Sequence, residues 1–104
     1  MFATIRRYEG VDQSRVNELV KKADETLKPS LTGLPGFGGY YLIDTGNGVI
    51  TSVSFFDTSA NADESTKTAS TWVHEQKLES ALPNAPKITS GEIVVHEMRE
   101  LVKA

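Results

Sequence analysis

Residues 34–57 read LPGFGGYYLIDTGNGVITSVSFFD. Pro35-Gly36 is a turn signal, and Asn47-Gly48 favours a tight hairpin because both residues tolerate positive φ. The stretch predicts two strands, at about 39–44 and 49–56. Val49, Thr51, Val53 and Phe55 line one side of the second strand; Ile50, Ser52, Ser54 and Phe56 line the other. Both faces of this ribbon are apolar or aromatic. The chain's own helices can cover one face. The other needs a cover that this chain does not supply.

Working outward, residues 2–8 alternate well enough for a first strand, and Glu9-Gly10 ends it. Asp12 then offers a carboxylate to the free amides of a helical first turn. Val16, Leu19, Val20, Ala23 and Leu27 follow as an amphipathic stripe, with Glu18 and Lys22 paired on the wet side. Pro29 ends or kinks this helix, and Leu31 and Leu34 suggest a further turn. Thr58 or Ser59 caps a second helix expected to reach about Leu82, where Pro83 and Pro86 stop it. A last strand is expected over about 92–98, after an extended arm near Lys87. The order β-α-β-β-α-β predicts an α+β, ferredoxin-like domain over residues 1–104: a four-stranded antiparallel sheet with both helices on one face.

A sheet covered on one side normally turns a polar second face to water. Here neither parity is polar. One carries Ile5, Tyr41, Ile43, Val53, Phe55, Ile93 and Val95; the other carries Phe2, Tyr8, Tyr40, Leu42, Ile50, Phe56, Val94 and Met98. An exposed apolar patch of this extent marks an interface, so two sheets are expected to pack face to face as a homodimer.

Composition excludes several classes. The net charge is −3 with basic residues scattered, leaving no stripe for nucleic acid and no polybasic run for a membrane surface. Without cysteine the chain has no disulfide, thiolate nucleophile or Cys-type zinc site, which fits a cytoplasmic location. The segment MFATIRRYEG reads as a strand start rather than a signal peptide. Two histidines on separate elements, with no HExxH, predict no metal site. Gly36-Phe37-Gly38-Gly39 precedes a strand rather than a helix, so it reads as turn and bulge, not a phosphate cradle.

The βαββαβ order, the PGF-GGYYLID turn and strand, and the SVSFFDT segment entering a helix resemble the antibiotic biosynthesis monooxygenase-like families, which form dimeric α/β barrels. The resemblance implies a ligand pocket in each subunit between sheet and helices. It also implies, for an enzyme, oxidation of a small aromatic or quinol by dioxygen with no cofactor. The alternative is a non-catalytic homodimer that binds a small apolar ligand or serves as a structural module. Haem-degrading relatives carry an asparagine on the first strand, a tryptophan at the end of the third and a histidine on the second helix. Thr4 or Arg6, Phe56 and His74 stand near those places, and these departures argue against haem cleavage.

Within that frame, Arg6, Tyr8, Tyr40, Ser52 and Ser54 share one strand parity. Together they could hold a phenolic or enolate oxygen while Phe56 and Trp72 sandwich a ring. Arg6 would stabilise the anion, and His96 or a tyrosine, here Tyr40, would assist proton transfer. Each has a plainer reading. Trp72 also suits the core, His96 a structural histidine, and Arg6 with Tyr8 a solvent-reaching strand end. The sequence leaves open which parity meets the helices, and whether the small residues of the second helix (Ala62, Ser65, Thr66, Ala69) give close packing or a void.

Overall fold

A computed structural model describes residues 1–98 of the chain. Strand β1 (Phe2–Tyr8) leads through a 3₁₀ turn at Gln13–Arg15 into helix α1 (Val16–Lys22). Asp12 caps the turn: its Oδ1 accepts from the Ser14 amide at 3.0 Å and the Ser14 hydroxyl at 2.6 Å. Glu18 and Lys22 pair at 3.2 Å. A π turn at Ala23–Leu27 joins α1 to α2 (Lys28–Thr32). Pro29 explains the wide turn. It lacks an N–H, and its ring crowds the carbonyl four residues earlier, which belongs to Glu25 inside that turn. Thr26 Oγ1 and Ser30 Oγ donate back to the carbonyls of Lys22 and Thr26, at 2.6 and 3.0 Å.

Strands β2 (Phe37–Gly46) and β3 (Val49–Phe56) form the hairpin. Asn47 and Gly48 have φ of 56° and 74°, as the two-residue turn requires. The register slips between Phe37 and Gly39, so Gly38 is a bulge. Thr58 then caps α3 (Ser59–Glu75), accepting from the Asn61 amide at 3.1 Å. The sheet order is β2-β3-β1-β4 and every neighbouring pair is antiparallel, the ferredoxin-like arrangement.

Two elements end elsewhere than the sequence suggests. Helix α3 stops at Glu75 rather than near Leu82. Lys77 takes a positive φ of 56°, its amide bonds the His74 carbonyl, and the Leu78 amide bonds the Val73 carbonyl. This is a Schellman cap with lysine in the place usually held by glycine. It turns the chain so that Leu78, Ala81 and Leu82 bury on the core. The last strand, β4 (Lys87–Glu92), lies in the expected arm rather than over 92–98. β1 sets this limit: Arg7 pairs with Lys87 and Phe2 with Glu92, and the Ile93 amide bonds the Met1 carbonyl. Beyond that point β1 offers no partner. Val94, Val95, His96 and Met98 are therefore exposed and off the sheet.

The parity question is answered by burial. Thr4, Arg6, Ile50, Ser52, Ser54 and Phe56 are buried, sharing that side with Tyr8, Tyr40 and Leu42. Leu19, Ala23, Leu27 and Leu31 from the first helical run, Ala69 and Trp72 from α3, and Leu78 and Leu82 close over Ile50 in one core. Among the described residues nothing covers the opposite face. Ile5, Tyr41 and Ile43 are exposed on it, and Tyr41 meets Phe55 edge to face at 6.1 Å.

Candidate binding site at Arg6

Arg6 comes from the middle of β1, on the face that the helices cover, and is 2% exposed. Its Nε donates to Ser52 Oγ at 3.1 Å across the β1–β3 pair, and its Nη1 to Thr66 Oγ1 on α3 at 3.4 Å. Nη2 is buried with no partner among the described residues. The ion pairs of the described residues all lie elsewhere, on the surface. Burial lowers the Arg6 pKa, but a guanidinium starts so high that it stays charged at neutral pH. A cation held by two neutral hydroxyls in an apolar interior lacks the compensation that buried charges normally find.

Two voids meet at this residue. The inner one, about 20 Å³, has room for one water-sized molecule. Tyr8, Tyr40, Ser52 and Trp72 line it beside Arg6, with Leu27 and Ile50 among its apolar walls. The outer one is a groove of about 370 Å³, open between α3, β1, β4 and the loop 82–86. Arg6, Tyr8, Thr66, Ser70, Glu79 and Asn84 supply its polar groups; Val73, Leu82, Pro83, Pro86 and Ile88 supply apolar wall.

The two tyrosines are donors. Burial pushes the Tyr40 phenol up to about 12, against a smaller opposing pull from Arg6. Burial likewise raises Tyr8, with Arg6 again opposing. Both are therefore protonated near neutrality and can donate to an anion. Trp72 is fixed by its indole Nε1, which donates to Thr26 Oγ1 at 2.7 Å. Thr26 in turn donates to the Lys22 carbonyl, so the π turn holds the tryptophan in place.

The structure brings five of the eight singled-out residues to one cavity: Arg6, Tyr8, Tyr40, Ser52 and Trp72. The other three lie outside it. Ser54 is fully buried with an unpartnered hydroxyl and lines neither void at Arg6. Phe56 is fully buried too, edge to face with Phe37 at 5.7 Å, and is a core residue. His96 lies past the end of β4, exposed, and lines neither void at Arg6. His74 is 84% exposed and 3.4 Å from Glu79. Neither histidine lines the two voids, so no histidine stands there to ligate a haem iron. Sequence reasoning missed Thr66 and Thr26 as partners of Arg6 and Trp72. Thr66 carried a usable signal, since it lies on the inner side of α3 and leaves space that a larger residue would fill.

No family model and no curated protein matches the sequence. Solved structures do match its fold. A monooxygenase, ActVA-Orf6 of Streptomyces coelicolor, solved with the ligand nanaomycin D, superposes with a TM-score of 0.70 and 16% identity over 95% of this chain and 92% of that one. The haem-degrader MhuD of Mycobacterium tuberculosis, solved with two haems in its active site, gives 0.69 and 16% over 94% and 100%. A dimeric ferredoxin-like protein from an uncultured marine organism gives 0.63 and 15% over 94% and 97%. At such identities the likeness shows the fold alone: an antibiotic biosynthesis monooxygenase-like, ferredoxin-like α+β fold. Among the described residues no helix is long and apolar enough to cross a membrane.

Proposed function

We propose that this chain is a single-domain, homodimeric protein that binds a small aromatic molecule at Arg6 and oxygenates it without a cofactor. The observation that carries the reading is the buried guanidinium of Arg6, whose Nη2 has no partner among the described residues, in a residue that lines both voids. Sites of this kind are mostly apolar with a few converging polar groups. An electron-rich hydroxyarene or anthrone bound there ionises more readily, because Arg6 stabilises its oxyanion in a low-dielectric setting, while Tyr8 and Tyr40 donate to the same oxygen. The carbanion or phenolate so formed passes electrons to dioxygen. For an anthrone, one oxygen atom becomes the ring carbonyl and the other leaves as water with the two methylene hydrogens. The ActVA-Orf6 monooxygenase, with its ligand nanaomycin D, supports this reading by likeness of fold.

One observation favours a second reading, a non-catalytic small-ligand binder. The tyrosines are held protonated, and Glu79, which lines the groove, is 57% exposed, so among the described residues no buried carboxylate or histidine lines the voids at Arg6 as a general base. Oxygen uptake with a panel of hydroquinones and anthrones separates the two. Turnover that falls in Arg6→Met supports the oxygenase; no turnover across the panel leaves the binder.

The dimer belongs to the same proposal. Ile5, Tyr41, Ile43, Val53 and Phe55 make an apolar face that a second copy covers by packing sheet on sheet. At about 25 cal/mol per Å² of apolar area, several hundred Å² gives a large driving force before association costs. A likeness to a dimeric ferredoxin-like protein supports it. A chain without cysteine suits the reducing cytoplasm. Sedimentation showing a folded monomer at micromolar concentration would count against the dimer.

A further inference from the structure

We infer that the groove at Arg6 takes an aromatic carboxylate, a ligand whose negative charge is its own and is not made in the site. The inference rests on the small-aromatic site proposed above and names its ligand class. Shape comes first. At about 370 Å³ the groove falls within the ~300–1,000 Å³ of small-molecule sites. Val73, Leu82, Pro83, Pro86 and Ile88 offer apolar surface to a ring.

Charge comes second. Nε and Nη1 of Arg6 are engaged by neutral hydroxyls, and Nη2 by nothing described. A carboxylate reaching Nη2 gains a charge-assisted hydrogen bond and supplies the missing counter-charge together. A neutral phenol supplies neither to the same degree.

Proton chemistry comes third. The groups facing Arg6 from β1, β2, β3 and α3 are Tyr8, Tyr40, Ser52 and Thr66, all hydroxyls. None takes a proton from a ligand near neutrality. Glu79 also lines the groove, but it is 57% exposed and 3.4 Å from His74, so water screens much of its charge from a ligand seated on Arg6. A carboxylic acid arrives already ionised at neutral pH, whereas a phenol with an ordinary pKa near 10 does not.

The test uses three probes with one ring system: 2-naphthoate, 2-naphthol and 2-methylnaphthalene, titrated calorimetrically into the full chain at neutral pH. The wild type is expected to bind 2-naphthoate roughly tenfold or more tighter than the other two, as a hydrogen bond to a charged group implies. Arg6→Met should abolish that preference and leave the three probes similar. Thr66→Val, which keeps the cation and removes a neutral partner, should retain it. If Arg6→Met does not fold, the wild-type ranking decides alone. Equal binding of all three probes, or a preference for 2-naphthol, overturns the carboxylate while the aromatic site stands. No binding by any probe at millimolar concentration overturns both.

Discussion

Arg6 costs the folded state something, because its charge is buried with no counter-ion among the described residues. Breaking a buried ion pair by removing one partner costs ~3–5 kcal/mol, and Arg6 sits in the orphaned position from the start. Arg6→Met should therefore leave thermal stability unchanged or raise it; a loss above about 3 kcal/mol in denaturant unfolding would show that Arg6 is structural. Thr26→Val should do the opposite. It strands the Trp72 Nε1 donor and should cost about 1–3 kcal/mol, with a shifted tryptophan emission. The tyrosines give a pH dependence. Burial raises the Tyr40 phenol from 10.0 to about 12, so its neutral form is favoured in the fold. That contribution is complete below the unfolded value and is lost as pH rises from about 10 to about 12. Denaturant midpoints should fall across this window, and Tyr40→Phe should flatten the slope. The grouping of Arg6, Tyr8, Tyr40 and Ser52 was legible because strand parity places them on one face. Thr66 was legible as a small residue on the inner side of the second helix, but its bond to Arg6, like that of Thr26 to Trp72, joins distant elements and leaves no periodic trace in a sequence.

At the level of elements, local chemistry was readable wherever one or two residues settle the backbone. Asn47-Gly48 fixed the hairpin, Asp12 and Thr58 fixed the helix starts, and β1 and β3 have the expected ends. The errors share a cause: the deciding partner is far away. Residues 92–98 have the apolar alternation of a strand, yet β1 is already paired through Glu92. Helix α3 ends at a lysine in a left-handed conformation, a position that composition does not flag. A side chain there is strained by about 1–2 kcal/mol, partly offset in glycine by ~0.5–1 kcal/mol of lost chain entropy. Lys77→Gly should thus stabilise the protein by roughly 0.5–1 kcal/mol in denaturant unfolding; an equal loss would show that the Schellman turn is not retained in solution.

For the whole molecule, one asymmetry matters most. The sheet's helix-side face holds the buried Arg6 and encloses the cavity, while the open face carries Ile5, Tyr41, Ile43, Val53 and Phe55 at its centre, flanked by Arg7, Thr51 and Lys87, and no described residue covers it. Asp in place of Val53, at the middle of the open face, should give a folded monomer by sedimentation without changing the groove. Retention of the dimer in Val53→Asp would place the contact elsewhere. Fold class was legible from the order of strands and helices, because the right-handed crossover rule leaves few alternatives. Ligand class was not, because it depends on one unpartnered nitrogen that the fold creates. A crystal structure with 2-naphthoate tests this most directly. The expected result is a ring along Val73, Leu82 and Ile88 with its carboxylate on Arg6 Nη2. A ligand bound away from Arg6, with the guanidinium still on Ser52 and Thr66 alone, would contradict the account.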